Sequence, residues 1–306
     1  MALGNAMREF AWRVPACIIE LIPKEIWELL PTSGGSLVVL RNVRVLDVCA
    51  GRARISRWAS MAGLATVAID RDYSEHMDIN TAQGFALVIM LLLRTCSGEL
   101  LFIAAQCSTW VWVARKQTQR TRQNPRGAAH IPIVAEGNSL NDRCALLCLL
   151  ASRLDVHWVI EQPASSLFFE SAHMAAVVAR CKAVRIHLWL CDFGHPAKKG
   201  TVLVGTAAWL PSFAAPVHEQ SSRSSGSTTA PPKNNGPRGK NNYPQQPGLH
   251  RLRQRRGKLL QLCDSTVDKN GKRRFTGKRS YLKASQVYPA KFAAAILKAH
   301  FPDVFP

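Results

Sequence analysis

The chain has few acidic residues and no apolar segment long enough to cross a membrane. Its 306 residues include 20 Asp and Glu against 40 Lys and Arg, a formal net charge of +20. The apolar run at 84–93 has about ten residues, whereas a membrane-spanning helix needs about twenty. The N-terminus lacks the long apolar run of a secretory signal peptide. We therefore expect an intracellular protein with no membrane partner.

The nine cysteines are odd in number, which argues against a disulfide framework, and they form no Cys-x-x-Cys pair, which argues against a zinc-binding motif. Cys144 and Cys148 are four residues apart on a predicted helix. Two thiols at this spacing are more often core residues than metal ligands. We expect no metal site, and cysteines that stay reduced inside the cell.

Positive charge is concentrated in the C-terminal third. Residues 216–306 contain 18 Lys and Arg but only 4 Asp and Glu, with aromatic residues among the cations. This balance favours nucleic acid as a partner, and a solvated basic tail is the alternative. The run at 253–258, which includes Arg255 and Arg256, is typical of either a phosphate-binding patch or a nuclear address.

Apolar strands alternate with helical patterns between residues 43 and 206. We predict strands at 43–48, 65–70, 100–105, 156–161, 184–190 and 201–206, and helices near 53–62, 80–94, 139–153 and 165–181. This order is typical of an α/β fold of the Rossmann type, with a mostly parallel sheet and helices on both faces. Because 191–200 is too short for a helical crossover, the last two strands should form an antiparallel hairpin.

Composition divides the chain into four predicted regions. They are a helical lead-in at 1–36, an α/β domain at 37–210, a flexible linker or insertion at 211–250, and a basic segment at 251–306. The linker is rich in Ser, Pro, Asn and Gly and cannot bury enough apolar surface to fold. The last segment ends in an amphipathic helix from Pro289, which we expect to pack back on the core.

Chemically useful side chains follow the predicted strands. Asp47 and Gly51 end the first strand and its turn, Asp70 ends the second, Cys107 follows the third, and Glu161 ends the fourth. Ligands of open α/β sheets bind at the carboxyl ends of strands. A turn of small residues followed about twenty residues later by a carboxylate is typical of a nucleotide-type site. We therefore predict one ligand site at this rim.

These residues resemble a known family. The segment 45–51 and Asp70 resemble the first two motifs of S-adenosylmethionine-dependent methyltransferases. The order of the remaining motifs is similar to that of DNA cytosine-C5 methyltransferases, with counterparts at 105–108, 160–163, 192–205 and 285–289. The Cys-Ser-x-Trp and Glu-Gln-Pro-x-Ser-Ser signatures also resemble a group of uncharacterised dinoflagellate proteins.

The resemblance implies a role for each matching residue. Cys107, as a thiolate, would attack C6 of a cytosine flipped out of its stack, and Glu161 would hydrogen-bond the base. S-adenosylmethionine would lie against the turn after the first strand, with Asp70 at its ribose. The residues implied to contact this cofactor are Asp47, Ala50, Gly51, Asp70, Asp78 and Gln286.

Basic residues around the predicted site are candidate nucleic-acid contacts. Residues 110–126 carry five cations and no acid, and begin with two tryptophans that could stack on bases. A helix with a solvated basic face would have the same composition. The resemblance adds two lysines that replace family arginines. The predicted nucleic-acid contacts are therefore Arg115, Lys116, Arg120, Arg122, Lys198, Lys199, Arg255 and Arg256.

Three functions remain open. The first is a monomeric methyltransferase of nucleic acid, with DNA favoured over RNA and cytosine C5 as the target. Departures from the family at Cys49, Ala53 and Gln106 favour, as the alternative, a catalytically inactive nucleic-acid-binding protein derived from a mobile element. The third is a methyltransferase of RNA or protein. The absence of an Asp-Pro-Pro-Tyr loop argues against methylation of adenine N6.

Overall fold

The computed structural model describes residues 11–32, 36–214, 263–267, 273–277 and 287–305. Its strands are β1 (Ala11–Arg13), β2 (Val38–Leu40), β3 (Val43–Val48), β4 (Thr66–Ile69), β5 (Thr95–Ile103), β6 (His157–Pro163), β7 (Val184–Trp189), β8 (Gly200–Gly205), β9 (Cys263–Val267) and β10 (Arg273–Gly277). Its helices are α1 (Ala16–Ile19), α2 (Lys24–Trp27), α3 (Arg54–Met61), α4 (Ala82–Leu93), α5 (Arg115–Thr118), α6 (Pro132–Arg153), α7 (Ala172–Arg180), α8 (Leu210–Ala214) and α9 (Ala290–His300).

Six strands form the central sheet in the order β4-β3-β5-β6-β8-β7. Strands β4, β3, β5 and β6 are parallel to their neighbours, and β8 runs antiparallel between β6 and β7. The β7–β8 pair is the hairpin that the short connection predicts. The predicted fold class, a mostly parallel α/β sheet with an antiparallel hairpin, is confirmed.

Helices cover both faces of the sheet. Because successive side chains of a strand point to opposite faces, Val45 and Leu46 of β3 enter separate apolar cores. Val45 shares its core with Ile55 of α3 and Phe292 of α9. Leu46 shares the other core with Leu147 of α6 and with residues of α4. This two-sided burial explains why the strands are almost continuously apolar.

The N-terminal region is not purely helical, in contrast to the expectation for 1–36. Strand β1 pairs antiparallel with β2, so that Ala11 lies opposite Leu40. Helices α1 and α2 lie between them and bury Ile18 and Ile26 in the core. Strands of three residues are too short to show an alternating pattern, so the sequence did not reveal this pair.

Most of the basic C-terminal third lies outside the described residues, including the predicted linker beyond 214. The two described strands of this region, β9 and β10, pair antiparallel. Within the described ranges, no helix combines the length and the apolar character needed to cross a bilayer.

The strand order fixes where a ligand can bind. From β3 the chain crosses to β4 on one side, and β5 then lies on the other side of β3. In open α/β sheets a crevice forms at such a reversal, beyond the carboxyl ends of the strands. The crevice of this protein therefore lies between the loops that follow β3 and β5.

The turn after β3 contains three residues in the left-handed backbone region. The φ angles are 56° at Cys49, 54° at Gly51 and 51° at Ala53. Only glycine adopts this conformation freely, and for a residue with a Cβ the conformation costs about 1–2 kcal/mol of free energy. Ala53 occupies a position at which the resembled family has glycine. The backbone at this position therefore has the left-handed conformation typical of glycine, although the residue is alanine.

Ala53→Gly should raise the free energy of unfolding by about 1 kcal/mol, because glycine relieves the left-handed strain. Chemical denaturation of the full chain measures this. The matched control is Ala176→Gly, at an exposed position within α7, which should lower the same free energy by about 1 kcal/mol. A loss of stability in both variants would contradict the assignment of strain to Ala53.

Candidate active site

A cavity of about 270 Å³ opens between the loops after β3 and β5. The loop after β4, the end of β6 and the segment before α9 complete its wall. It brings together Gly51, Asp70, Cys107 and Glu161, which the sequence placed at four separate strand ends. Ala50, Asp78 and Lys199 also line it.

Asp70 ties two loops of the cavity together. One carboxylate oxygen accepts a hydrogen bond from the Gly51 N–H at 2.8 Å, and the other accepts from the Asp72 N–H at 2.8 Å. The Tyr73 hydroxyl donates to the Gly51 carbonyl at 2.7 Å. Because a carboxylate has about four acceptor sites, Asp70 retains capacity for a ligand.

Asp78 lies in a loop that α6 holds in place. Its carboxylate accepts a hydrogen bond from the Asn80 N–H at 2.8 Å. The guanidinium of Arg143 on α6 donates to the carbonyl of Ile79, and to that of Thr81 at 2.7 Å. The loop therefore presents Asp78 to the cavity from a fixed backbone.

Asp47 was predicted to contact the cofactor, but it does not line the cavity wall. Its carboxylate accepts a hydrogen bond from the Ser56 N–H in the first turn of α3, at 3.2 Å. Burial raises the pKa of Asp47 to about 7. The side chain thus anchors α3 to the end of β3. Gln286, the other predicted contact, lies outside the described residues.

Glu161 lies at the other end of the cavity, in a cluster with Lys199 and Tyr288. Its side chain is only 7% exposed, and the Lys199 Nζ lies 3.7 Å from Oε1. The Tyr288 hydroxyl donates to Oε2 at 2.9 Å. Oε1 has no hydrogen-bond partner among the described residues. The ion pair and the Tyr288 bond offset part of the cost of burying this carboxylate.

The environment of Cys107 favours the thiol over the thiolate. Burial raises the pKa of Cys107 to about 11, the charge of Glu161 also raises it, and the Lys199 ammonium opposes both effects. Lys199 is therefore the cation that acts on this thiol. Arg115, by contrast, donates to the Ser165 carbonyl at 3.2 Å.

Gln162 connects the end of β6 to the loop that carries Cys107. Its side chain is fully buried, and its amide donates to the Ala105 carbonyl at 2.7 Å. Its side-chain oxygen accepts from the Ser166 hydroxyl at 2.9 Å. This explains how the loop stays ordered with Gln-Pro where the resembled family has Asn-Val. Neither Gln162 nor Tyr288 is among the predicted site residues, although they lie in the motif segments 160–163 and 285–289.

The predicted nucleic-acid contact at Arg120 is wrong, because this side chain is structural. Arg120 is 1% exposed and lies over the Trp110 ring at 3.5 Å. It donates to the Asn138 side chain at 2.8 Å and to the Pro125 carbonyl at 2.7 Å. Burial lowers its pKa to about 10. Trp110 is itself fully buried and cannot stack on a base.

The other predicted basic contacts divide by exposure. Lys116 and Arg122 are exposed, and Arg115 is half-buried. The Lys198 ammonium lies 4.5 Å from the centre of the Trp189 ring, while Lys199 belongs to the Glu161 cluster. Arg255 and Arg256 lie outside the described residues.

Cys144 and Cys148 are fully buried on α6. Burial raises the pKa of both thiols well above the usual value, as expected of core residues. In the described part of the chain, no group of three or more His, Cys, Asp or Glu side chains is arranged to hold a metal ion.

Glu161→Gln should accelerate alkylation of Cys107 by iodoacetamide at pH 8 by up to about tenfold, which corresponds to one pKa unit. The reason is that a negative charge beside the thiol is removed. Lys199→Met should slow the reaction, because the stabilising ammonium is lost. Peptide mass spectrometry of quenched samples measures the rates, and the exposed Cys17 provides the internal reference. Equal rates in all three proteins would contradict these electrostatics.

Comparison with known proteins gives a distant structural similarity. No protein-family model matches the chain, and no curated protein matches it. Among solved structures, the chain is similar to the Dnmt2 methyltransferase of S. pombe, with 14% sequence identity and a TM-score of 0.31. The match covers 53% of this chain and 48% of that one, so it spans about half the length of the Dnmt2 structure.

Proposed function

We propose that this protein is an S-adenosylmethionine-dependent methyltransferase that acts on nucleic acid, with cytosine C5 of DNA as its target. The observation that carries the proposal is the single cavity that contains Asp70 at one end and Cys107 with Glu161 at the other. Group transfer requires donor and acceptor to meet in one enclosed site.

The Asp70 end of the cavity suits an adenosyl cofactor. The carboxylates of Asp70 and Asp78 can accept hydrogen bonds from ribose hydroxyls and from an amino group. Gly51 has open space where a Cβ would lie, so a ligand can approach its backbone closely. When bound, the cofactor supplies an electrophilic methyl group.

At the other end of the cavity, Cys107 would act as the nucleophile. Its sulfur would add to C6 of the base, and the electron pair of the C5–C6 double bond would form the new bond from C5 to the methyl carbon. The bond from that carbon to the sulfonium sulfur of the cofactor would break and leave a neutral thioether. Loss of the C5 proton to a water molecule and departure of the Cys107 thiolate would restore the ring. Because burial raises the pKa of Cys107 to about 11, the thiol must lose its proton to solvent before it attacks, and the Lys199 ammonium would stabilise the resulting thiolate.

A duplex in which 5-fluorocytosine replaces cytosine should form a covalent complex with the protein when S-adenosylmethionine is present. Fluorine at C5 cannot leave as a proton does, so Cys107 stays attached and the complex survives denaturing electrophoresis. Cys107→Ser should abolish the complex. A complex of equal yield in Cys107→Ser, or one that forms without the cofactor, would contradict the proposed reaction.

Calorimetry with S-adenosylmethionine alone serves as the control for this experiment. Cys107→Ser should leave the heat of binding unchanged, and Asp70→Asn should weaken binding, because a neutral amide is a poorer acceptor for ribose hydroxyls. The absence of any heat with the unaltered protein would remove the cofactor from the proposal.

A second candidate function is binding of nucleic acid without catalysis. The raised pKa of Cys107 favours it, because a protonated thiol is a poor nucleophile. The exposure of Lys116 and Arg122 also favours it, because both cations remain accessible to phosphates.

Replacing Lys116 and Arg122 together by Gln should weaken binding to a 20-base-pair duplex. It should also reduce the slope of log K against log salt by about 2, since each lost phosphate contact releases about one counterion fewer. The matched control replaces the exposed Arg153 and Arg180, at the ends of α6 and α7 away from the cavity. Fluorescence anisotropy measures both pairs, and an equal effect would contradict a localised phosphate-binding surface.

A further inference from the structure

We propose that Tyr288 is a positioning residue that holds Glu161 so that a single carboxylate oxygen, Oε1, is presented to the acceptor base. The inference rests on the proposed function and adds a residue to it. It also connects the C-terminal helix α9 to the chemistry, because only Pro289 separates Tyr288 from that helix.

The two oxygens of Glu161 have different surroundings. Oε2 accepts the Tyr288 hydroxyl at 2.9 Å, whereas Oε1 lacks a hydrogen-bond partner among the described residues. The Lys199 ammonium is 3.7 Å from Oε1, beyond ordinary hydrogen-bond distance. Buried polar atoms are normally satisfied, so an oxygen that the protein leaves without a donor retains the capacity to accept a hydrogen bond from a ligand. Because Glu161 lines the cavity, that ligand would be an N–H donor bound there.

The core holds the Tyr288 ring in place. Tyr288 is 8% exposed, meets the Phe102 ring edge-on at a centroid distance of 6.0 Å, and packs against Phe292 at 5.2 Å. Phe102 belongs to β5 and Phe292 to α9, so two elements fix the direction of the hydroxyl. A donor held by packing on both sides limits the rotation of the Glu161 carboxylate before a base arrives.

This arrangement predicts that Tyr288 acts through Glu161 on the reaction rate. Tyr288→Phe retains the ring and its packing and removes only the hydroxyl. In single-turnover measurements of the covalent complex with 5-fluorocytosine duplex, the maximal rate should fall about tenfold. The S-adenosylmethionine concentration at half-maximal rate should change less than twofold, because Tyr288 is paired with Glu161 and not with Asp70. An unchanged maximal rate would overturn the positioning role.

A second measurement does not depend on catalysis. Denaturant unfolding of the full chain should show that Tyr288→Phe lowers stability in the unaltered protein. The same change should have no destabilising effect in the Glu161→Met background, because the hydroxyl has lost its acceptor there. The matched control is Tyr73→Phe, which removes a hydroxyl bonded to Gly51 and should have the same effect in both backgrounds.

The two measurements distinguish a failure of the Tyr288 inference from a failure of the proposed function. If Tyr288→Phe lowers stability equally in both backgrounds, the hydroxyl does not hold Glu161 and the inference is overturned. If the unaltered protein forms no covalent complex, the proposed function is overturned, while the unfolding cycle still decides whether Tyr288 anchors Glu161.

Discussion

The site depends on one constraint, the parallel alignment of β3, β4, β5 and β6. Parallel strands bring their carboxyl ends to the same edge, so a loop that follows one strand meets the loops that follow its neighbours. The reversal of strand order at β3 then opens a crevice between two of these loops. The cavity and the positions of Asp70, Cys107 and Glu161 follow from this geometry, because each of these residues lies close to a strand end.

This constraint explains why much of the fold could be predicted from the sequence. Strands buried on both faces are almost purely apolar, and their ends are marked by polar residues such as Asp70 and Glu161. Residues whose role depends on side-chain packing could not be predicted. Spacing does not show that Asp47 points to the start of α3, nor that Arg120 lies over Trp110. Tyr288 is 127 residues from its partner Glu161, and no local pattern indicates such a contact.

The cavity combines opposing electrostatic effects. Burial and the charge of Glu161 disfavour a thiolate at Cys107, and Lys199 favours it. Lys199 is also the ion-pair partner of Glu161, so one ammonium group interacts with both the carboxylate and the sulfur. A base that donates an N–H to Glu161 would neutralise part of the carboxylate charge and leave more of the ammonium field for the sulfur. Substrate binding and activation of the nucleophile would then be linked through Lys199.

The position of α9 has a consequence for how the protein is degraded. This helix closes one apolar face of the sheet and is preceded by the residue that holds Glu161. Removal of α9 together with Tyr288 by a protease would uncover Val45 and Phe102 and take away the hydroxyl that holds Glu161 in one event. Exposure of this apolar face, which favours aggregation, would therefore coincide with disruption of the Glu161 cluster.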